Sequence, residues 1–163
     1  SRARAADPLA RWRTAAELDL VVSVPATPAA LLSVDFTEIL SEFSELSIVI
    51  EHLAGVGRDA DPSYKDYARV LALAEYPNLS IKLPSFGEFC ALPHPFRDVP
   101  PLAEMAIDAF GPSRVMWGSD WPPVRSREGY DYSLNFPIDY LSSPREDERA
   151  WIFGETALKV WRF

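Results

Sequence analysis

Two residue positions combine a reactive side chain with a place where such side chains can act. His52 stands next to last in the largely apolar run LSIVIEHL, and Asp120 ends SRVMWGSD just ahead of Trp121-Pro122-Pro123. An imidazole suits Zn²⁺ and titrates near neutral pH, so His52 is a candidate metal ligand or proton-transfer group. Its plain alternative is a strand-end histidine bonded to a loop carbonyl. The Asp120 carboxylate could ligate a metal and take a proton from water. Its alternative is an Asx turn heading a proline-rich loop. Lys82, near the end of NLSIKL, could hold an anionic substrate, act as an amine base if desolvated, or pair with an interior carboxylate. Pairing or anion binding outweighs covalent catalysis. His94 and Arg97, in LPHPFRD, could meet a substrate carboxylate, or simply face solvent. Cys90 has no base beside it and reads as a buried, inert thiol. Glu51 should point to the face of its strand opposite His52, because strand side chains alternate, and should be structural.

The elements that must position these residues alternate in type. Asp7-Pro8 caps a helix over about 8–18, and LDLVVSVP carries a strand over 20–24. Thr27-Pro28 opens a helical region, with Phe36, Ile39, Leu40 and Phe43 along one face. A strand at 46–51 is apolar throughout, as in a sheet covered on both faces. Asp61-Pro62 heads a helix to about 76, and a strand follows at 79–83. After a long loop come a helix at 100–110, closed by Gly111-Pro112, and a strand at 114–118. DWPPVRSREGYDYSLNFP reads as a second long loop. Ser143-Pro144 with Glu146 resembles a capping box for a last helix, which Gly154 should split. Strands alternating with helices imply βαβ units and a parallel sheet, an α/β fold. In such folds function gathers at the carboxyl ends of strands, where His52, Lys82 and Asp120 fall. Both long loops leave from that edge.

Composition narrows the function classes. The 24 acidic and 16 basic residues give a net charge of −8, which argues against a nucleic-acid surface or a polybasic membrane anchor. No apolar run is long enough to span a bilayer, and SRARAADPLARW lacks the apolar core of a secretory signal. One cysteine excludes an intrachain disulfide and fits a reducing, cytoplasmic setting. The 15 prolines, about twice the usual share, fall mainly at helix starts and strand ends. GxGxxG, P-loop, CxxC, HExxH and GxSxG patterns are all absent.

Four segments resemble one family. FGPSRVMWGSDWP, residues 110–122, is similar to the strand-8 signature of the amidohydrolase-related metal-dependent hydrolases. IEHLAG at 50–55 resembles their strand-6 histidine motif. NLSIKLPSFGEF at 78–89 resembles their strand-7 segment, and GETALKVWRF at 154–163 their closing helix. The resemblance implies a (β/α)₈ TIM barrel, with residues 1–163 as its C-terminal half, strands 5 to 8, and no second domain. It places His52 and Asp120 in the active site as catalytic residues and as ligands of a divalent metal, zinc in many metal-dependent members. Lys82, His94, Arg97 and Trp121 become the expected lining of a substrate pocket. Two departures count against metal. The family's strand-1 HxH has no counterpart here, and Pro25 stands near the strand-5 histidine position. They favour the lactonase-like branch, which can act without metal, or an altered site.

The implied activity is hydrolysis of a lactone or amide of a small carboxylated substrate. The alternatives are a decarboxylase of the aminocarboxymuconate-semialdehyde decarboxylase type and a non-catalytic binding or scaffold protein. A barrel of this kind takes about 250 residues. The 163 residues carry four strand signals, so the active site is expected to be incomplete and the fragment alone inactive, without a tight zinc site. The expected partner for its open edges is a missing N-terminal half or, less readily, a second copy in a homodimer.

Overall fold

The computed structural model describes residues 7–57, 59–141 and 145–162. Its centre is a sheet of four parallel strands in the order β1-β2-β3-β4: Val22–Val24, Ile48–Ile50, Leu79–Leu83 and Val115–Trp117. The order follows the chain, so each crossover returns beside the strand it left. Ser23 registers with Val49, Val49 with Ser80, and Lys82 with Met116. Ile48, Val49 and Ile50 are all fully buried, which explains the unbroken apolar run in β2.

Alternation sorts the two faces of the sheet. Ile48, Ile50, Ile81 and Leu83 join the main core with Phe36, Leu40, Val70, Leu102 and Ala106 from the crossover helices. The crossover helices are α2 (Pro28–Leu31), α3 (Val34–Glu42), α4 (Lys65–Leu71) and α5 (Leu102–Phe110), and α1 (Ala10–Glu17) precedes β1. After β4 come α6 (Tyr130–Tyr140), α7 (Glu146–Ala150) and α8 (Thr156–Trp161). The other face carries Ser23, Lys82 and, just past β2, Glu51, which contacts both of them.

Arg114 sets where β4 begins. Its guanidinium donates to the carbonyls of Ala74 at 2.9 Å, Tyr76 at 3.0 Å and Phe110 at 3.0 Å. One side chain thus ties the end of α5 and the approach to β3 to the start of β4.

Several local expectations need correction. The second long loop is half helix: Tyr130–Tyr140 is α6, with Pro137 inside it. Proline spacing hid it, yet Pro137 sits late enough for the preceding turns to close. Asp61 does not cap α4; its carboxylate accepts from the Ser63 N–H at 2.8 Å and closes a turn. Tyr64, in a left-handed conformation, then redirects the chain into the helix at Lys65. The helical region opened by Thr27-Pro28 breaks at Ser33, whose hydroxyl accepts from the Phe36 N–H and caps α3. Ser143 and Pro144 lie outside the described residues. The start of α7 is instead bound by the Arg145 N–H donating to Glu148 at 2.9 Å. Gly154 falls in a wide π turn, Trp151–Glu155, that joins α7 to α8. Among the described residues no helix is long and apolar enough to cross a membrane.

Candidate active site

The site forms at the carboxyl edge of β2, β3 and β4. Directly after β2 the chain turns sharply through His52, Leu53 and Ala54, all at positive φ between 49° and 61°. Non-glycine residues rarely adopt this conformation, and local strain of this kind is held by surrounding contacts. The turn also ends the alternation of the strand. Glu51 therefore does not face away from His52, as strand geometry implied. His52 Nε2 lies 3.6 Å from Glu51 Oε2. Glu51 is buried, forms an ion pair with Lys82, and accepts from the Ser23 hydroxyl at 2.5 Å. Gly118, past β4, gives the lysine room: a Cβ there would stand 3.1 Å from the Lys82 Cδ.

His52 Nδ1 lies 2.7 and 2.8 Å from the two oxygens of Glu88. An ionised carboxylate only accepts, so Nδ1–H is the donor. The Nε2 edge is left facing Asp120 Oδ1 at 3.8 Å. The Glu88 hydrogen bond raises the His52 pKa above its ordinary value, against the opposing effect of burial. Burial pushes the Glu88 carboxyl up, but the His52 hydrogen bond and the charges of His52 and Arg127 outweigh it and hold Glu88 below its ordinary range.

Asp120 follows β4 at φ 55°. Its Oδ2 meets Arg127 Nη2 at 3.0 Å, and the same nitrogen donates to Ser85 Oγ at 2.7 Å. Arg127 also approaches Glu88 at 3.5 Å and Glu128 at 3.4 Å. The Glu128 side chain is completely buried and accepts from the Gly87 N–H at 3.1 Å. Any Cβ on Gly87 would overlap that carboxylate, so glycine is required for the turn Phe86–Glu88 to seat on it. The seating aims Glu88 at His52.

His52, Glu88 and Asp120 each offer one ligand atom, and these atoms lie within 4.8 Å of one another. One imidazole and two carboxylates are a donor set that fits a divalent cation.

Of the residues singled out by sequence, His52, Asp120 and Lys82 converge here. His94 stacks on Tyr132 at 4.1 Å and packs edge-on to Phe96 and Phe136, within an aromatic cluster. Arg97 is exposed and lines a separate shallow pocket with Leu92 and Asp98. Trp121 is 59% exposed. None of these three contributes a hydrogen bond or ion pair to the cluster among the described residues. Glu88, Arg127, Ser85 and Glu128 were not legible as site residues. Their one signal was position, since all four lie in the two loops that leave the active edge. Cys90 is buried and unpaired, as expected of an inert thiol.

Comparison with known proteins agrees with this architecture. Residues 2–163 match the family described as Amidohydrolase. The chain is 32% identical over 127 residues to an L-fucono-1,5-lactonase of Burkholderia ambifaria, covering 74% of this chain and 43% of that protein. It is 28% identical over 160 residues to a 4-sulfomuconolactone hydrolase of Hydrogenophaga intermedia, covering 95% and 50%. A crystal structure of an amidohydrolase from Burkholderia multivorans with bound zinc superposes with a TM-score of 0.78 at 23% identity, covering 93% of this chain and 56% of that one. The chain spans about half the length of the curated relatives it matches. With the family matched over nearly every residue, and four parallel strands superposing on part of a solved amidohydrolase, the chain belongs to the amidohydrolase family and folds as part of its barrel.

Proposed function

We propose that the protein hydrolyses a lactone on a small carboxylated molecule, with Asp120 as base and His52 as the group that polarises the scissile carbonyl. The carrying observation is the 3.8 Å approach of His52 Nε2 to Asp120 Oδ1 across the carboxyl edge of the sheet. Two of the relatives described above are named for lactone hydrolysis, and one of those lactones bears an acid group.

Asp120 takes the proton of a water as its oxygen bonds to the lactone carbonyl. The ring C–O bond then breaks, and the proton returns to the departing alkoxide oxygen. Glu88 favours the doubly protonated imidazole, which donates from Nδ1 to Glu88 and from Nε2 to the carbonyl oxygen as charge develops there. With the imidazole neutral instead, His52, Glu88 and Asp120 would hold a divalent cation, zinc included, which would supply Lewis-acid polarisation of the carbonyl in place of the Nε2–H. Lys82 stands next to the pair with its charge matched by Glu51, and Trp121, Arg97 and His94 lie in the flanking loops.

The test is acid release from small lactones, with and without a carboxylate, by the protein as encoded with any flanking residues. Asp120→Asn should lower turnover by about 10²–10⁴-fold, the range for a lost general base. Near-normal turnover in that variant sinks the assignment. Release of CO₂ in place of acid would mark a decarboxylase. Ligand binding without turnover would mark a non-catalytic protein.

A further inference from the structure

We infer that Arg127 is a positioning residue of this site: it fixes one oxygen of Asp120 so that the other faces His52. The inference rests on the hydrolytic reading above and goes beyond it, to a residue that touches neither water nor carbonyl in that scheme.

Arg127 lies in the loop after β4, with its side chain 20% exposed, and its nitrogens reach four side chains. These are Ser85 at 2.7 Å, Asp120 at 3.0 Å, Glu128 at 3.4 Å and Glu88 at 3.5 Å. Ser85 and Glu88 come from the loop after β3, whereas Asp120 and Glu128 come from the loop after β4. One guanidinium therefore locks the two loops that carry the site's carboxylates. A planar fork with several donors can serve partners on different sides at once, which a point-charge ammonium cannot.

The division of labour at Asp120 follows from its two oxygens. Oδ2 is engaged by Arg127, and Oδ1 points at His52. The residue sits at φ 55°, a backbone conformation that persists only when contacts hold it. Without Arg127, three carboxylates (Glu88, Asp120 and the fully buried Glu128) would lose their shared counter-charge. Asp120 would then turn away. The anchor at Ser85 adds direction, because it fixes the Nη2 that contacts Asp120.

The experiment compares Arg127→Ala, Arg127→Lys and Ser85→Ala with wild type in lactone turnover. Misplacing a reacting group by about 1 Å can cost 10²-fold. For Arg127→Ala, kcat should fall by about that factor while KM moves less than about threefold, and millimolar guanidinium ion should restore at least about tenfold. Arg127→Lys should remain impaired. A rise in KM with unchanged kcat would make Arg127 a substrate contact and overturn the proposal. So would a loss that guanidinium does not restore. If Arg127→Ala does not fold, Ser85→Ala and Arg127→Lys decide: lowered kcat in both supports the role, and wild-type kcat in both overturns it. A wild-type protein without lactone turnover defeats the hydrolytic reading alone. The position of Asp120 in a crystal structure of Arg127→Lys then decides this one, displacement supporting it and an unmoved carboxylate overturning it.

Discussion

Glu51 and Lys82 form an ion pair on the sheet face opposite the helical core, although they come from different strands and neither faces bulk water freely. Glu51 is held further by Ser23, so three neighbouring strands meet at one carboxylate. Removing one member of a buried pair leaves the other charge uncompensated, at a cost of about 3 kcal/mol. Lys82→Met should therefore destabilise the fold by about that amount in urea denaturation. Adding Glu51→Gln to Lys82→Met should recover much of the loss. A double variant as unstable as the sum of the singles would refute the coupling.

The His52–Glu88 pair predicts a stability profile for metal-free protein. His52 has its folded pKa raised above 6.5, so its contribution is complete below that value and fades as pH rises through the folded pKa. Glu88 has its folded pKa lowered below 4.5, so its contribution is complete above that value and fades as pH falls through the folded pKa. Both contributions coexist between the two values. The urea midpoint should be higher at about pH 5.5 than at about pH 8, and Glu88→Gln should flatten the difference. A slope of the same size in Glu88→Gln would assign it to other groups.

Cys90 supplies a chemical probe of folding. Its thiol is buried, and burial, with the Glu128 and Glu104 charges behind it, pushes its pKa up to about 12. The thiolate is the nucleophile, so native protein should resist iodoacetamide near neutral pH and react once unfolded. Rapid labelling of the native state would contradict the packing around Phe86 and Phe89.

Arg114 is a structural counterpart to Arg127. It satisfies carbonyls at the end of α5 and ahead of β3, groups that a helix or strand terminus otherwise leaves open. Hydrogen bonds to charged groups contribute about 1.5–3 kcal/mol each, and their sum overstates a deletion because water replaces some. Arg114→Ala should lower stability by about 3 kcal/mol by chemical denaturation. A change below about 1 kcal/mol would show that the clamp is dispensable.

How much of this was legible from sequence differs by element. The strands around Ile48, Leu79 and Val115 were plain, because the core face of a covered parallel sheet demands apolar side chains: β2 is apolar throughout, and β3 keeps Leu79, Ile81 and Leu83 at every second position. The helix at Tyr130–Tyr140 was not, because its proline and aromatic content mimics a loop and only its docking supports it. The surroundings of His94 were hidden for a related reason. Its ring stacks on Tyr132, a neighbour 38 positions away that only the fold brings beside it.

By itself the sequence determined the alternation of strand and helix, the family, and the two residues His52 and Asp120 at strand ends. Those are local properties, written in hydrophobic period and in short motifs. Only the tertiary structure decided which groups surround that pair. Glu88 lies 36 positions from His52 and Arg127 lies 39 from Glu88, and no period in the chain connects them. The left-handed turn after β2 brings Glu51 back toward His52, and the seating of Gly87 on Glu128 aims Glu88. Both follow from steric fit between loops that meet only when the parallel strands register.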